Sequence, residues 1–63
     1  MTTKQIRQAA KLSQTAAAAM AQVAPFTWRV YETDPMAIGE EKRRACDVAK
    51  AKMLELAKSR SAA

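Results

Sequence analysis

Residues that could perform catalytic chemistry are scarce in this chain. It has 63 residues and no histidine, and histidine is the commonest general base near neutral pH. The single glycine, Gly39, excludes Gly-rich phosphate loops and dinucleotide fingerprints, which need several. The neighbouring carboxylates Glu40 and Glu41 would point about 100° apart on a helix and so would not act as an acid–base pair. The sequence therefore predicts a protein that is not an enzyme, with no catalytic residues, metal site or cofactor.

The single cysteine, Cys46, permits no disulfide within the chain. It falls on the apolar face of a predicted helix, and no residue near it in the sequence could activate its thiol. We expect a small core side chain at this position.

The aromatic residues are the strongest indication of binding. Phe26, Trp28 and Tyr31 lie within six residues of one another, with Arg29 among them. Tryptophan, tyrosine and arginine are the side chains that most often dominate protein interfaces. Apolar residues alternate along this stretch with the period of an extended strand. We therefore predict a docking segment made of Phe26, Trp28, Arg29 and Tyr31; the alternative is that Phe26 and Trp28 form the bulky part of the chain's own core.

Two helices are expected to flank this segment. The first spans about residues 2–24, begins at a capping box and ends at Pro25, which cannot continue it. An extended connector covers residues 25–34. The second helix spans about residues 35–60, with Asp34 as its N-cap; a start at Gly39 is the alternative. The predicted fold is a single small all-α chain of two amphipathic helices joined by an extended aromatic segment, without an independent large core.

Each predicted helix has one apolar face that would pack against a neighbour. The expected packing residues are Ile6, Leu12, Met20 and Val23 in the first helix and Ile38, Met53 and Leu56 in the second. Because the two faces contain few large side chains, we expect the chain to gain stability from a partner.

Charge is distributed unevenly. The net charge is +5, and the first acidic residue is Glu32. Lys4, Arg7 and Lys11 form a predicted basic face on the first helix, whose acid-free, alanine-rich sequence is typical in character of a mitochondrial targeting segment. The alternative is an ordinary alanine-rich helix with a solvated basic face. The uncharged run 12–28 contains too many polar residues to span a membrane, but the helix could contact an anionic membrane surface.

The function predicted from these features is that of a non-catalytic accessory subunit docked on a larger protein assembly. The predicted location is peripheral to the mitochondrial inner membrane, in a respiratory or ATP synthase complex; the alternatives are the cytoplasm or a virion. The alternative function is a small basic module that binds nucleic acid or associates with a virion. A helix–turn–helix motif is not expected, because the predicted connection has ten residues rather than three or four.

Overall fold

The computed structural model describes residues 2–62, and all the regular secondary structure in this range is helical. No strand occurs in this range, so the predicted all-α class is confirmed. The helices are α1 (Thr3–Ala9), α2 (Gln14–Ala21), α3 (Pro25–Thr33) and α4 (Glu40–Ala62), with a short 3-10 helix at Pro35–Ala37.

The first helix begins as expected. The Thr2 hydroxyl oxygen accepts a hydrogen bond from the Gln5 backbone N–H at 3.1 Å, and the Thr2 N–H donates to the Gln5 side-chain oxygen at 2.8 Å. This reciprocal capping box satisfies two N–H groups that would otherwise lack a partner.

The prediction of one helix over residues 2–24 is wrong, because the chain breaks after Ala9. Lys11 adopts a left-handed conformation with φ 62°. The Leu12 N–H donates to the Arg7 carbonyl at 3.2 Å, and the Lys11 N–H donates to the Gln8 carbonyl at 3.0 Å. These two bonds form a Schellman motif, which ends a helix. The new helix α2 starts at Ser13, whose hydroxyl accepts from the Ala16 N–H at 3.0 Å.

The prediction of an extended connector over residues 25–34 is also wrong. Pro25 occupies the first turn of α3, where its fixed φ suits a helix and its missing N–H costs no hydrogen bond. The chain before it turns sharply at Gln22, which has φ 58°. Gln22 therefore ends α2 and Pro25 begins α3. Phe26, Trp28 and Val30 lie on a helix rather than on a strand.

The last helix begins later than residue 35. Asp34 caps only the 3-10 helix, by accepting from the Met36 N–H at 3.2 Å. The chain is extended at Ile38, and α4 then starts at Glu40, as the alternative start at Gly39 predicted. Glu40 and Glu41 lie in its first turn, where negative charge favours the helix dipole.

The core lies where all four helices meet. Helix α1 packs on α4, and α2 packs on both α3 and α4. Trp28 and Met53 are fully buried, Tyr31 is 2% exposed, and the two aromatic ring centres are 5.2 Å apart. Small side chains fill the space around these three: Ala10, Ala17, Ala18, Ala21, Cys46 and Ala49. The alanines let the helix backbones approach closely, so a small core forms from the chain's own residues.

Most of the expected packing residues contribute to this core. Ile6 and Met53 are buried, and four others are partly buried against it: Leu12, Met20, Val23 and Ile38. The prediction is wrong for Leu56, which is 38% exposed. Leu56 follows Met53 by three residues and so lies about 60° around the helix from it, on the flank of the buried face.

Candidate nucleic-acid interface

Helices α2 and α3 form a helix–turn–helix. Only three residues, 22–24, separate Ala21 at the end of α2 from Pro25 at the start of α3. The left-handed Gln22 allows the Val23 N–H to donate to the Ala18 carbonyl at 2.9 Å, which closes the turn. DNA-binding helix–turn–helix motifs also join their two helices by a turn of three or four residues, and their second helix enters the major groove. The ground on which the sequence excluded this motif is wrong, because most of the predicted ten-residue connector is the helix α3.

The outer face of α3 is available for contact. The side chains of Trp28, Tyr31 and Glu32 point towards the other helices. The opposite side carries Phe26, which is 69% exposed, and the exposed Arg29 and Thr33. Val30 is half-buried beside them. The outer face of α3 therefore offers an apolar ring, Phe26, at the end nearest the turn and a cation, Arg29, at the middle of the helix.

A buried ion pair holds this helix in place. Glu32 on α3 and Arg7 on α1 are 2.5 Å apart between Oε2 and Nε, with side chains only 6% and 9% exposed. The Trp28 indole Nε1 also donates to Glu32 Oε2, at 2.6 Å. The Gln14 amide donates to Glu32 Oε1 at 3.2 Å, and Arg7 Nη1 donates to the Leu12 carbonyl at 2.9 Å. One carboxylate thus joins α1, the start of α2 and α3.

The environment of Glu32 favours its charged form. Burial by itself would raise the pKa of the Glu32 carboxyl. The hydrogen bonds from Arg7, Trp28 and Gln14, together with the positive charge of Arg7, outweigh burial and hold this pKa below its ordinary value. Glu32 therefore stays ionised as the acceptor of the network.

A second polar contact ties α3 to α4. The Tyr31 hydroxyl donates to the Asp47 carboxylate. Burial, followed by the bond to Asp47 and its negative charge, raises the pKa of Tyr31 well above its usual range. The hydroxyl therefore remains protonated and able to donate.

The burial of Arg7 changes the predicted basic face. Arg7 is 8% exposed and paired, whereas Lys4 and Lys11 are exposed, so a solvated face that includes all three is wrong. Because Arg7 and Glu32 neutralise each other, the net charge of +5 belongs to the remaining side chains. Within residues 2–62 no ion pair involves Lys4, Lys11 or Arg29. Lys11 lies just before α2 and Arg29 on α3, so both charges belong to the helix–turn–helix.

The four predicted docking residues do not share one surface: two lie in the core and two are exposed to solvent. Trp28 and Tyr31 are core residues and are closed to a partner in this conformation, while Phe26 and Arg29 are exposed. The prediction that these four residues lie together on an extended segment is therefore wrong. The alternative, in which Phe26 and Trp28 form the core, is correct for Trp28 but not for Phe26. The physical reason is that a helix places residues 28, 31 and 32 on one side and residues 26, 29, 30 and 33 on the other.

Several structurally important residues went unrecognised in the sequence. Ser13 could have been identified as an N-cap, since serine is among the best residues at that position. Gln14, Glu32 and Asp47 gave no such signal. Arg7 and Glu32 are 25 residues apart, so only the tertiary fold reveals their pairing.

Neither a membrane span nor a metal site is found among residues 2–62. None of the described helices combines the length and the apolar character needed to cross a bilayer. Cysteine and carboxylate side chains in this range do not gather in groups of three that could hold a metal ion. Burial raises the pKa of the Cys46 thiol, and the charge of Asp47 adds to this, so the thiol is held in its neutral form.

No family model matches the chain, and no curated protein or solved structure is significantly similar to it.

Proposed function

We propose that this chain is a non-catalytic helix–turn–helix module that binds duplex DNA, with α3 lying in the major groove. The observation that carries the proposal is the three-residue turn between α2 and α3, together with the exposed outer face of α3. A B-DNA major groove is about 12 Å wide and admits one α-helix. In this motif the first helix crosses the phosphate backbone and the N-terminal residues of the second contact base edges.

The charge of the chain supports this partner. A net charge of +5 favours a polyanion, and lysine and arginine side chains release condensed counterions when they contact phosphates. Lys11 precedes α2 and is exposed, which places it where a backbone contact is expected. Arg29 lies on the outer face of α3, where it can reach either a phosphate or the O6 and N7 atoms of guanine.

Duplex DNA suits the structure better than RNA. Proteins that bind single strands stack bases on exposed aromatic rings, but two of the three aromatic residues, Trp28 and Tyr31, are buried. The major groove of an A-form RNA duplex is too deep and narrow for side chains to read. An outward-facing helix therefore has its best counterpart in B-form DNA.

The accessory-subunit function stays a prediction, as do its mitochondrial location and contact with an anionic membrane surface. Of its four proposed anchors, Phe26 and Arg29 remain exposed. The same two residues serve DNA binding, and the helix–turn–helix gives a reason for their placement that docking on a protein does not.

The test compares two variants that each remove one positive charge. Arg29→Ala alters the outer face of α3. Lys58→Ala alters α4 at a position far from α3. Lys58 lies eleven residues after Asp47, which is the residue of α4 that Tyr31 of α3 contacts, and is therefore about 16 Å from that contact along the helix. Binding to a fluorescent duplex selected from a random library is measured by anisotropy at several salt concentrations.

We expect the unaltered chain to bind the selected duplex with a Kd that rises steeply with salt. Arg29→Ala should weaken binding by about 1–3 kcal/mol, roughly 5- to 150-fold, if the guanidinium contacts a base. Lys58→Ala should change affinity by less than about twofold, because surface phosphate attraction falls off within a Debye length of roughly 10 Å. Equal losses from the two variants, or no selection of any duplex, would overturn the proposal.

A further inference from the structure

We infer that Phe26 is a specificity-determining residue and that its ring contacts the C5-methyl group of a thymine in the major groove. The inference rests on the proposed DNA binding and adds the kind of base that α3 prefers. Phe26 is the second residue of α3 and is 69% exposed, so its ring takes little part in the core. Single exposed apolar residues are common on proteins; Phe26 is distinguished by its position at the N-terminal end of α3.

The chemistry of the groove limits what this ring can recognise. A phenyl ring has no hydrogen-bonding group and cannot read the donors and acceptors of base edges. Among the base edges of the major groove, thymine presents an apolar group, its C5-methyl, and phenylalanine is one of the side chains that contact it. A phenylalanine in this position therefore favours thymine over the other three bases.

The neighbours of Phe26 support an apolar contact. Val30 follows it by one helical turn on the same side of α3, about 6 Å away between Cβ atoms. The Thr33 hydroxyl donates to the Arg29 carbonyl at 3.1 Å within the helix, so this donor is already engaged. Arg29 remains as the one charged side chain of the outer face of α3. We therefore expect preferred sites to contain thymine where α3 enters the groove.

The experiment removes one methyl group at a time. Duplexes selected by the unaltered chain are synthesised with deoxyuridine in place of each thymine in turn, because deoxyuridine lacks only the C5-methyl group. Affinities are measured by anisotropy for the unaltered chain, for Phe26→Ala and for Met36→Ala. Met36 is the matched control: it is 75% exposed and lies in the 3-10 helix that follows the C-terminal end of α3, whereas Phe26 lies at the N-terminal end of α3. Circular dichroism verifies that both variants keep their helices.

At one thymine, deoxyuridine should weaken binding of the unaltered chain about fourfold, which corresponds to burial of one methyl group. The same substitution should weaken binding of Met36→Ala about fourfold as well. It should weaken binding of Phe26→Ala by less than about 1.5-fold, because the ring that contacts the methyl group is absent. Selected duplexes that tolerate deoxyuridine at every position would overturn the inference and leave DNA binding intact. Equal sensitivity in Phe26→Ala would also overturn it, since another residue would then read the methyl group. If no duplex is bound at low salt, the proposed function fails together with the inference.

Discussion

Replacement of Glu32 by glutamine should destabilise the fold severely. Glu32→Gln keeps the size of the side chain but removes the negative charge of the carboxylate, which accepts hydrogen bonds from Arg7 and Trp28. An amide group in this position turns one oxygen acceptor into a donor, which then faces another donor. The buried Arg7 guanidinium, 9% exposed, loses its counter-charge.

The expected cost follows from that burial. Removal of one partner from a buried ion pair costs about 3–5 kcal/mol, because the remaining charge is left uncompensated. A chain of 63 residues has a total stability of about 3–9 kcal/mol on the usual scale per residue. The expected loss is therefore at least about a third of the total stability, and urea unfolding followed by circular dichroism should show a correspondingly lower midpoint for Glu32→Gln.

A matched pair and a double mutant make this test specific. Glu55 forms an exposed pair with Lys58, its side chain being 77% exposed, so Glu55→Gln should cost no more than about 1 kcal/mol. Arg7→Met should cost about as much as Glu32→Gln. Either single substitution already abolishes the ion pair. The stability lost by the Arg7→Met, Glu32→Gln double mutant should therefore be smaller, by at least about 2 kcal/mol, than the sum of the losses in the two single mutants. Additive losses, or a loss below about 1 kcal/mol for Glu32→Gln, would refute the structural role of the network.

Acid should reveal the same ion pair. The pKa of Glu32 is lower in the folded chain than its ordinary value, so Glu32 binds a proton more readily when the chain is unfolded. The stability that it contributes is fully present above the unfolded pKa of about 4.3 and is lost as the pH falls through the folded pKa. Glu32→Gln should lack this part of the pH dependence of the free energy of unfolding.

The remaining predictions concern the turns and the second polar contact. Lys11→Gly and Gln22→Gly should each stabilise the fold by about 0.5–1 kcal/mol in thermal unfolding, since glycine adopts a positive φ without strain. Lys52→Gly, within α4, should instead destabilise the fold by a similar amount. A loss of stability in both turn variants would contradict the left-handed conformations of Lys11 and Gln22. Tyr31→Phe should cost about 1–2 kcal/mol, because a hydrogen bond to a carboxylate is lost while the exposed Asp47 is rehydrated; no change in urea unfolding would mean that the contact contributes nothing.

The sequence was informative where the signals were local. The capping box at Thr2 and the alternative start of the last helix after Gly39 follow from residue types at fixed spacings. Asp34 before Pro35 is an N-cap, but of the 3-10 helix rather than of the long helix for which it was predicted. Alanine-rich composition and the absence of a second strand were enough to predict an all-helical chain.

The break within residues 2–24 depended on tertiary structure. The left-handed conformation costs a lysine about 1–2 kcal/mol. No glycine or asparagine near Lys11 indicates that the backbone turns there. The cost is offset because the turn brings Arg7 and the start of α2 to Glu32. The local propensity for one continuous alanine helix is overridden by a network whose members are far apart in the sequence.

The error over residues 25–34 had a different origin. Phe26, Trp28 and Val30 alternate as in a strand, but Trp28, Tyr31 and Glu32 also have the spacing of one helix face. Short apolar runs fit both periods. Burial of Trp28 and its hydrogen bond to Glu32 favour the helix, and the same choice creates the helix–turn–helix.

Chemical-shift mapping of DNA contacts would test the central claim most directly. A 15N-labelled chain is titrated with a duplex of about 15 base pairs taken from the selection experiment, and backbone amide shifts are followed by NMR. We predict the largest changes at Phe26, Arg29 and Val30 on α3 and at Lys11 before α2, with the C-terminal half of α4 little affected. Saturable shifts confined to α4, or no shifts at low salt, would contradict the account.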